Sequence, residues 1–261
     1  MRGDAIARPP IMKPWPCLEA APPDTGPSFV AETRFQGCFA TTSWPRKAVE
    51  RLLPSGLRLA AGPGGSHPVV FTFGEHDQSA VLFAALRLAT GAVFPELVIA
   101  VPSVRRGDGE PATFVRRVFS GEPVATWSGN VHYGFTKTLV AMEKFGNSFV
   151  VTDERGALAL HATTEPTSPW ERAASSALPG LAAAVTLARR PVLGCKSDGT
   201  WVSSRFEWGF EDAEVRSVRG VVSIDAPLGP GLEPRTCHAA ARESFEVRGM
   251  RWRLSWPEAG D

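Results

Sequence analysis

Cysteine is sparse in this 261-residue chain. The four present, Cys17, Cys38, Cys195 and Cys237, form no Cys-x-x-Cys pair and have no histidine at finger spacing. That pattern excludes a structural zinc finger and a dithiol redox site, and leaves buried, inert thiols. An excess of one charge is lacking too: 28 Lys and Arg against 27 Asp and Glu give a formal net charge of +1. Nothing in that balance attracts nucleic acid or an anionic membrane. No apolar run approaches the roughly 18–20 uncharged residues of a membrane span. The longest candidate, residues 79–94, is interrupted by Arg87. Arg2 and Asp4 are followed by prolines where a signal sequence would carry its apolar core, so a soluble, cytoplasmic protein is expected. No Gly-x-Ser-x-Gly occurs, and the glycine cluster Gly62-Pro63-Gly64-Gly65 is not followed by Gly-Lys-Ser/Thr. A nucleophile elbow and a phosphate loop are thereby excluded. No internal repeat is present, and neither a cofactor nor a metal is expected.

What is present suits a large core, since hydrophobic residues make up 43% of the chain and charged ones 21%. The prolines at 9, 10, 14, 16, 22, 23 and 27 predict an irregular lead-in over 1–28, with Trp15 as its anchor, ahead of a single domain over 29–261. Alternating apolar residues predict a strand over 29–43, and apolar runs predict strands over 67–74, 94–102 and 112–119. Further strands are expected over 148–152 with 157–162 as a hairpin, and over 200–208, 214–224 and 244–256, the last broken near Gly249. Residues 79–88 fit a strand or a helix equally. Short helices are expected after Pro45 and over 181–188. The class is α+β, mainly β.

Lysine is also rare, and the five positions are not equivalent. Lys13 lies in the lead-in, Lys47 on the polar side of a helix, Lys144 near an expected helix end and Lys196 in a Ser-Asp-Gly turn. Lys137 alone follows an aromatic, glycine-containing run, Ser128-Gly129-Asn130-Val131-His132-Tyr133-Gly134-Phe135-Thr136. Leu139, Val140 and Met142 predict a short helix after it, with Thr136 as N-cap. A lysine does covalent work only as a free amine, and burial against apolar walls such as Tyr133, Phe135 and Leu139 disfavours the ammonium form.

The run from Gly129 to Leu139 resembles the lysine motif of the acetoacetate decarboxylase-like family: Tyr133, Gly134, Phe135 and Lys137 fit, Thr136 replaces the usual proline, and Asn130-Val131 stands where Arg-Glu is common. Two more stretches resemble the family in the same order, His67-Pro68-Val69-Val70-Phe71 and Phe94-Pro95-Glu96-Leu97-Val98. The resemblance implies an antiparallel sheet curved into a β-barrel-like core with a few short peripheral helices. It carries the Schiff-base role onto Lys137, a supporting role onto Glu96 and an arginine on the first strand, for which Arg34 is the nearest candidate. An ungapped comparison puts Phe35 or Gln36 opposite that arginine. Tyr133, Phe135 and Phe71 are the expected pocket walls. Thr138 replaces the second lysine of the decarboxylases, and Thr72 stands near the position of another glutamate.

The implied activity is decarboxylation of a β-keto acid through a lysine imine. Two alternatives stay open: a Schiff-base aldolase or dehydratase on pyruvate-like keto acids, and a non-catalytic small-molecule-binding β-barrel. The expected partner is a small-molecule keto acid, with no nucleic acid and no membrane, and the resemblance implies a homo-oligomer.

Overall fold

The computed structural model describes residues 18–20, 29–62, 64–83, 86–153 and 155–260. Apart from Leu18–Ala20, the lead-in expected over 1–28, with Trp15, lies outside the described residues. In chain order the elements are β1 (Leu18–Ala20), β2 (Phe29–Pro45), α1 (Arg46–Glu50), β3 (Leu57–Leu59), β4 (Ser66–Phe83), β5 (Leu86–Ala89), β6 (Phe94–Arg106) and β7 (Ala112–Ser120). There follow α2 (Pro123–Val131), β8 (Lys137–Leu139), β9 (Met142–Phe145), β10 (Ser148–Thr152), β11 (Leu158–Pro166), β12 (Glu171–Arg172) and α3 (Pro179–Ala188). The chain ends with β13 (Pro191–Cys195), β14 (Trp201–Gly209), β15 (Glu214–Ile224), β16 (Arg235–Ala239), β17 (Phe245–Ser255) and β18 (Glu258–Ala259).

All eighteen strands belong to one sheet. Part of it closes on itself: β2 pairs with β4, β4 with β6, β6 with β7, β7 with β13, β13 with β14, β14 with β17, and β17 again with β2. The closing step, β7 with β13, is parallel and short, pairing Val192 with Thr113 and Leu193 with Phe114. Within this ring the central parts of β4 and β6 carry apolar residues on both faces, as strands buried on both sides do. On β4 and β6 the odd residues Phe71, Phe73, Leu97, Ile99 and Val101 join the main core, where they pack with Phe149, Leu160, Val222 and Ile224 of the outer strands β10, β11 and β15. The even residues Val70, Thr72, His76, Glu96, Val98 and Ala100 face the space inside the ring. Alternation along each strand thus separates a packed core from a cavity wall.

Of residues 79–88, those described are strand: 79–83 complete β4 and 86–88 open β5, with Val81 paired to Leu88. The expected hairpin forms between β10 and β11, and the break in β17 falls at Gly249, which has φ +76° where the register with β2 shifts. The helix expected after Lys137 is replaced by strands β8 and β9. The helix, α2, precedes the lysine instead. Its position has a topological reason: β7 and β8 run parallel, pairing Val118 with Lys137, and two parallel neighbours need a crossover, which α2 supplies. Pro123 opens α2 in its first turn, and the side chain of Glu122 caps it by accepting from the Ala125 amide.

Candidate active site

The ring encloses a cavity of about 490 Å³. Lys137 enters it from β8, beside α2. The Lys137 Nζ donates to Glu96 Oε2 at 2.6 Å, and both side chains are about nine-tenths buried. His76 follows on the same wall, its Nε2 3.7 Å from Glu96 Oε1. Burial alone would raise the Glu96 carboxyl pKa, but the Lys137 charge, the His76 ring and the Lys137 hydrogen bond together hold it below the ordinary value. His76 goes the same way for the opposite reason: burial disfavours the imidazolium and lowers its pKa to about 4, against the pull of Glu96. Its ring stacks on Phe94 at 5.0 Å and meets Trp252 at 5.6 Å. At neutral pH the site therefore holds a carboxylate at Glu96, bonded to the Lys137 nitrogen, and a neutral imidazole at His76.

The lysine is held by its neighbours on α2. Gly129 is the spacer: a Cβ built there would lie 2.5 Å from Lys137 Cδ and 2.6 Å from Cε. Asn130 brackets the Lys137 backbone, its Oδ1 accepting from the amide at 2.8 Å and its Nδ2 donating to the carbonyl at 3.0 Å. The loop between them turns at Gly134, with φ +62°. Its carbonyl accepts from the Cys195 amide at 3.0 Å, and Gly194 on β13 leaves room for Tyr133, since a Cβ there would sit 1.9 Å from the Tyr133 oxygen.

Of the residues singled out in the sequence, Lys137, Glu96, Tyr133 and Phe135 all line this cavity. Tyr133 is a wall; burial pushes its hydroxyl up to about 12, so it stays a neutral phenol. Arg34 is elsewhere. It is exposed on β2, where alternation turns it away from the cavity-lining Thr33 and Phe35, and it borders a separate polar pocket with Gln78, Arg87 and Arg251. Of the two alternative positions, Phe35 lines the cavity, and Gln36 is exposed and bonds to Glu75. Phe71 is fully buried in the main core rather than in the cavity wall, because β4 presents its even residues inward. Thr72 is one of those even residues. The strand pattern alone places Phe71 and Thr72 on opposite faces.

His76, Gly129 and Asn130 were not legible as site residues from the sequence. The one signal for His76 was a histidine on the same strand face as Val70 and Thr72. For Gly129 it was a glycine with no turn to form. Lys137 is the only lysine or arginine among the described residues lining the cavity, and the other two lining carboxylates are engaged: Glu32 with Arg253 at 2.7 Å and Arg87 at 3.1 Å, Glu122 with the helix start. Among the described residues no group of three or more His, Cys, Asp or Glu is placed to hold a metal.

This architecture is the fold of acetoacetate decarboxylase and the enzymes like it. Acetoacetate decarboxylase from Legionella pneumophila superposes with a TM-score of 0.61 at 15% identity, over 98% of this chain and 93% of that one. An acetoacetate decarboxylase-like enzyme from Sphingomonas wittichii RW1 gives 0.61 at 13% identity, over 90% and 94%. The enduracididine biosynthesis enzyme MppR, in complex with pyruvate, gives 0.59 at 15% identity, over 90% and 91%. No family model matches the chain, and no curated protein matches its sequence. Among the described residues no helix is long and apolar enough to cross a membrane.

Proposed function

We propose that this protein is a Schiff-base enzyme that decarboxylates a β-keto acid, with Lys137 as the amine and Glu96 as its proton acceptor. The observation that carries the reading is the buried Lys137–Glu96 pair at 2.6 Å opening on an apolar cavity. Glu96 is held as a carboxylate, and it lies within reach of the proton that Lys137 must lose. A substrate that displaces water weakens the solvation of both ions, which favours transfer of that proton to Glu96 and leaves a neutral amine beside a carboxylic acid.

The amine then adds to the ketone carbon, and a proton passes from the nitrogen to the new alkoxide to give the neutral carbinolamine. Glu96 returns its proton to the carbinolamine hydroxyl, which leaves as water, and a protonated imine remains on Lys137 next to the Glu96 carboxylate. The C–C bond to the substrate carboxylate breaks, its electron pair moves toward the iminium nitrogen, and carbon dioxide and a neutral enamine result. A solvent proton adds to the enamine carbon, regenerating the iminium, and addition of water to the iminium carbon then releases the ketone and the Lys137 amine. Loss of carbon dioxide cancels two charges inside an apolar space. No arginine is among the described lining residues, so they offer the carboxylate no cationic partner other than the iminium, which supports bond cleavage over reactions that retain the carboxylate.

Borohydride trapping with 3-oxobutanoate and with pyruvate, followed by peptide mapping, tests the reading. Reduction is expected to fix the substrate carbon skeleton on Lys137, with carbon dioxide released from 3-oxobutanoate. Binding of substrate with no adduct at Lys137 would overturn it in favour of a carrier, and an adduct that condenses with an added aldehyde without losing carbon dioxide would favour an aldolase. Cytoplasmic residence and assembly into a homo-oligomer belong to the same reading, and light scattering on the purified chain measures the second.

A further inference from the structure

The cavity is much larger than a short keto acid. At roughly 30 Å³ for a water-sized group, 490 Å³ holds about sixteen such groups. It is also long. The lining residues of β6 run from Phe94 through Glu96, Val98 and Ala100 to Pro102, a span of about 26 Å at about 3.3 Å per residue. Lys137 and Glu96 lie toward one end of that span. Val81, Thr90 and Val124, the exposed residues of the lining, flank the same end. Beyond the lysine the walls are Val98, Ala100, Thr113, Val115 and Val192, with Phe206 packed in the same cluster as Val98, Val115 and Val192. No lysine or arginine other than Lys137 is among the described lining residues, so nothing there compensates a charged group for lost water.

We infer that the substrate is an extended 3-oxo acid whose reacting head sits at Lys137 and whose uncharged, apolar chain lies along β6 toward Ala100 and Pro102. This names the substrate class for the Lys137 reading and rests on it for the chemistry, but the chain selection belongs to the cavity itself. Each methylene of the chain removes apolar area from water, so efficiency rises with length until the space is filled.

The experiment is a length series from 3-oxobutanoate to 3-oxodecanoate with carbon dioxide release as readout, run beside fluorescence titrations of the unreactive alkan-2-ols of matching length, which report binding through the cavity tryptophans. The expected result is a rise in kcat/KM of roughly fourfold per added methylene, a parallel fall in the Kd of the alcohols, and at least a hundredfold lower kcat/KM for a 3-oxo dicarboxylate of matched length. Ala100→Trp is expected to lower the ratio of 3-oxodecanoate to 3-oxobutanoate efficiency at least tenfold. A flat series in both measurements, or an unchanged ratio in Ala100→Trp, overturns the inference even if Lys137 forms its adduct. Length-dependent alcohol binding without any adduct refutes the lysine chemistry and leaves the chain selection standing.

Discussion

A buried ammonium–carboxylate pair contributes little net stability, because desolvating two ions costs several kcal/mol that their attraction only offsets. Lys137 and Glu96 are placed at that cost, and the consequence is measurable. Glu96→Leu or Lys137→Met alone strands one buried charge and is expected to lose about 3–5 kcal/mol, while the double substitution recovers most of it. Urea unfolding of the four proteins checks the cycle, and additive losses would contradict the pairing. His76 supplies a second handle. Its folded pKa of about 4 lies below the unfolded 6.5, so the unfolded chain binds the extra proton between those values. Stability from the neutral ring is fully present above about pH 6.5 and is lost as pH falls toward 4, by about 3 kcal/mol in all. Glu96, also depressed, adds to the loss at the acid end. His76→Phe keeps the ring against Phe94 and is expected to flatten the slope of unfolding free energy between pH 4 and 6.5.

The element that does most for the site is α2, and one of its residues conflicts with helix formation. Glycine inside a helix costs about 1 kcal/mol relative to alanine, and Gly129 stands there because a methyl group would meet the Lys137 stem. Gly129→Ala gains about 1 kcal/mol of helix propensity but pushes Nζ off Glu96, and loss of that buried contact outweighs the gain, so a lower melting temperature is expected. Misplacement of a reacting atom by about 1 Å costs on the order of a hundredfold in rate, so adduct formation should fall by about that much at temperatures where the variant is still folded. A variant that retains trapping would show that Lys137 has another path into the cavity. The first half of β4 and most of β6 were legible as apolar runs, and Glu96 was singled out by the family resemblance of the stretch it opens. The helix expected after Lys137 failed for a reason that alternation does not contain: Leu139 and Val140 satisfy a helical period, but pairing of Lys137 with Val118 turns the segment into strand.

Closure of the ring is a property of the whole molecule. It depends on β13 lying against both β7 and the loop that leads to Lys137, and Gly194 sits at that junction. Gly194→Ala is expected to cost about 1–3 kcal/mol by forcing that loop off β13, with a loss of trapping at Lys137 larger than the change in denaturation midpoint accounts for. If trapping is unaffected, the loop does not set the lysine position. Exposed Arg34 and buried Phe71 belong to this scale too: each has the residue type a site needs, and each is turned away by the direction of its strand.

Local pattern determined most of the long strands and that Lys137 differs from the other four lysines, because periodicity and neighbouring side chains are written along the chain. Which face of each strand meets the cavity, that a helix rather than a turn delivers Lys137, and that His76, Gly129 and Asn130 surround it were decided by pairings between residues far apart in sequence. Glu96 and Lys137 are 41 positions apart and meet at 2.6 Å only because β6, β7 and β8 lie side by side.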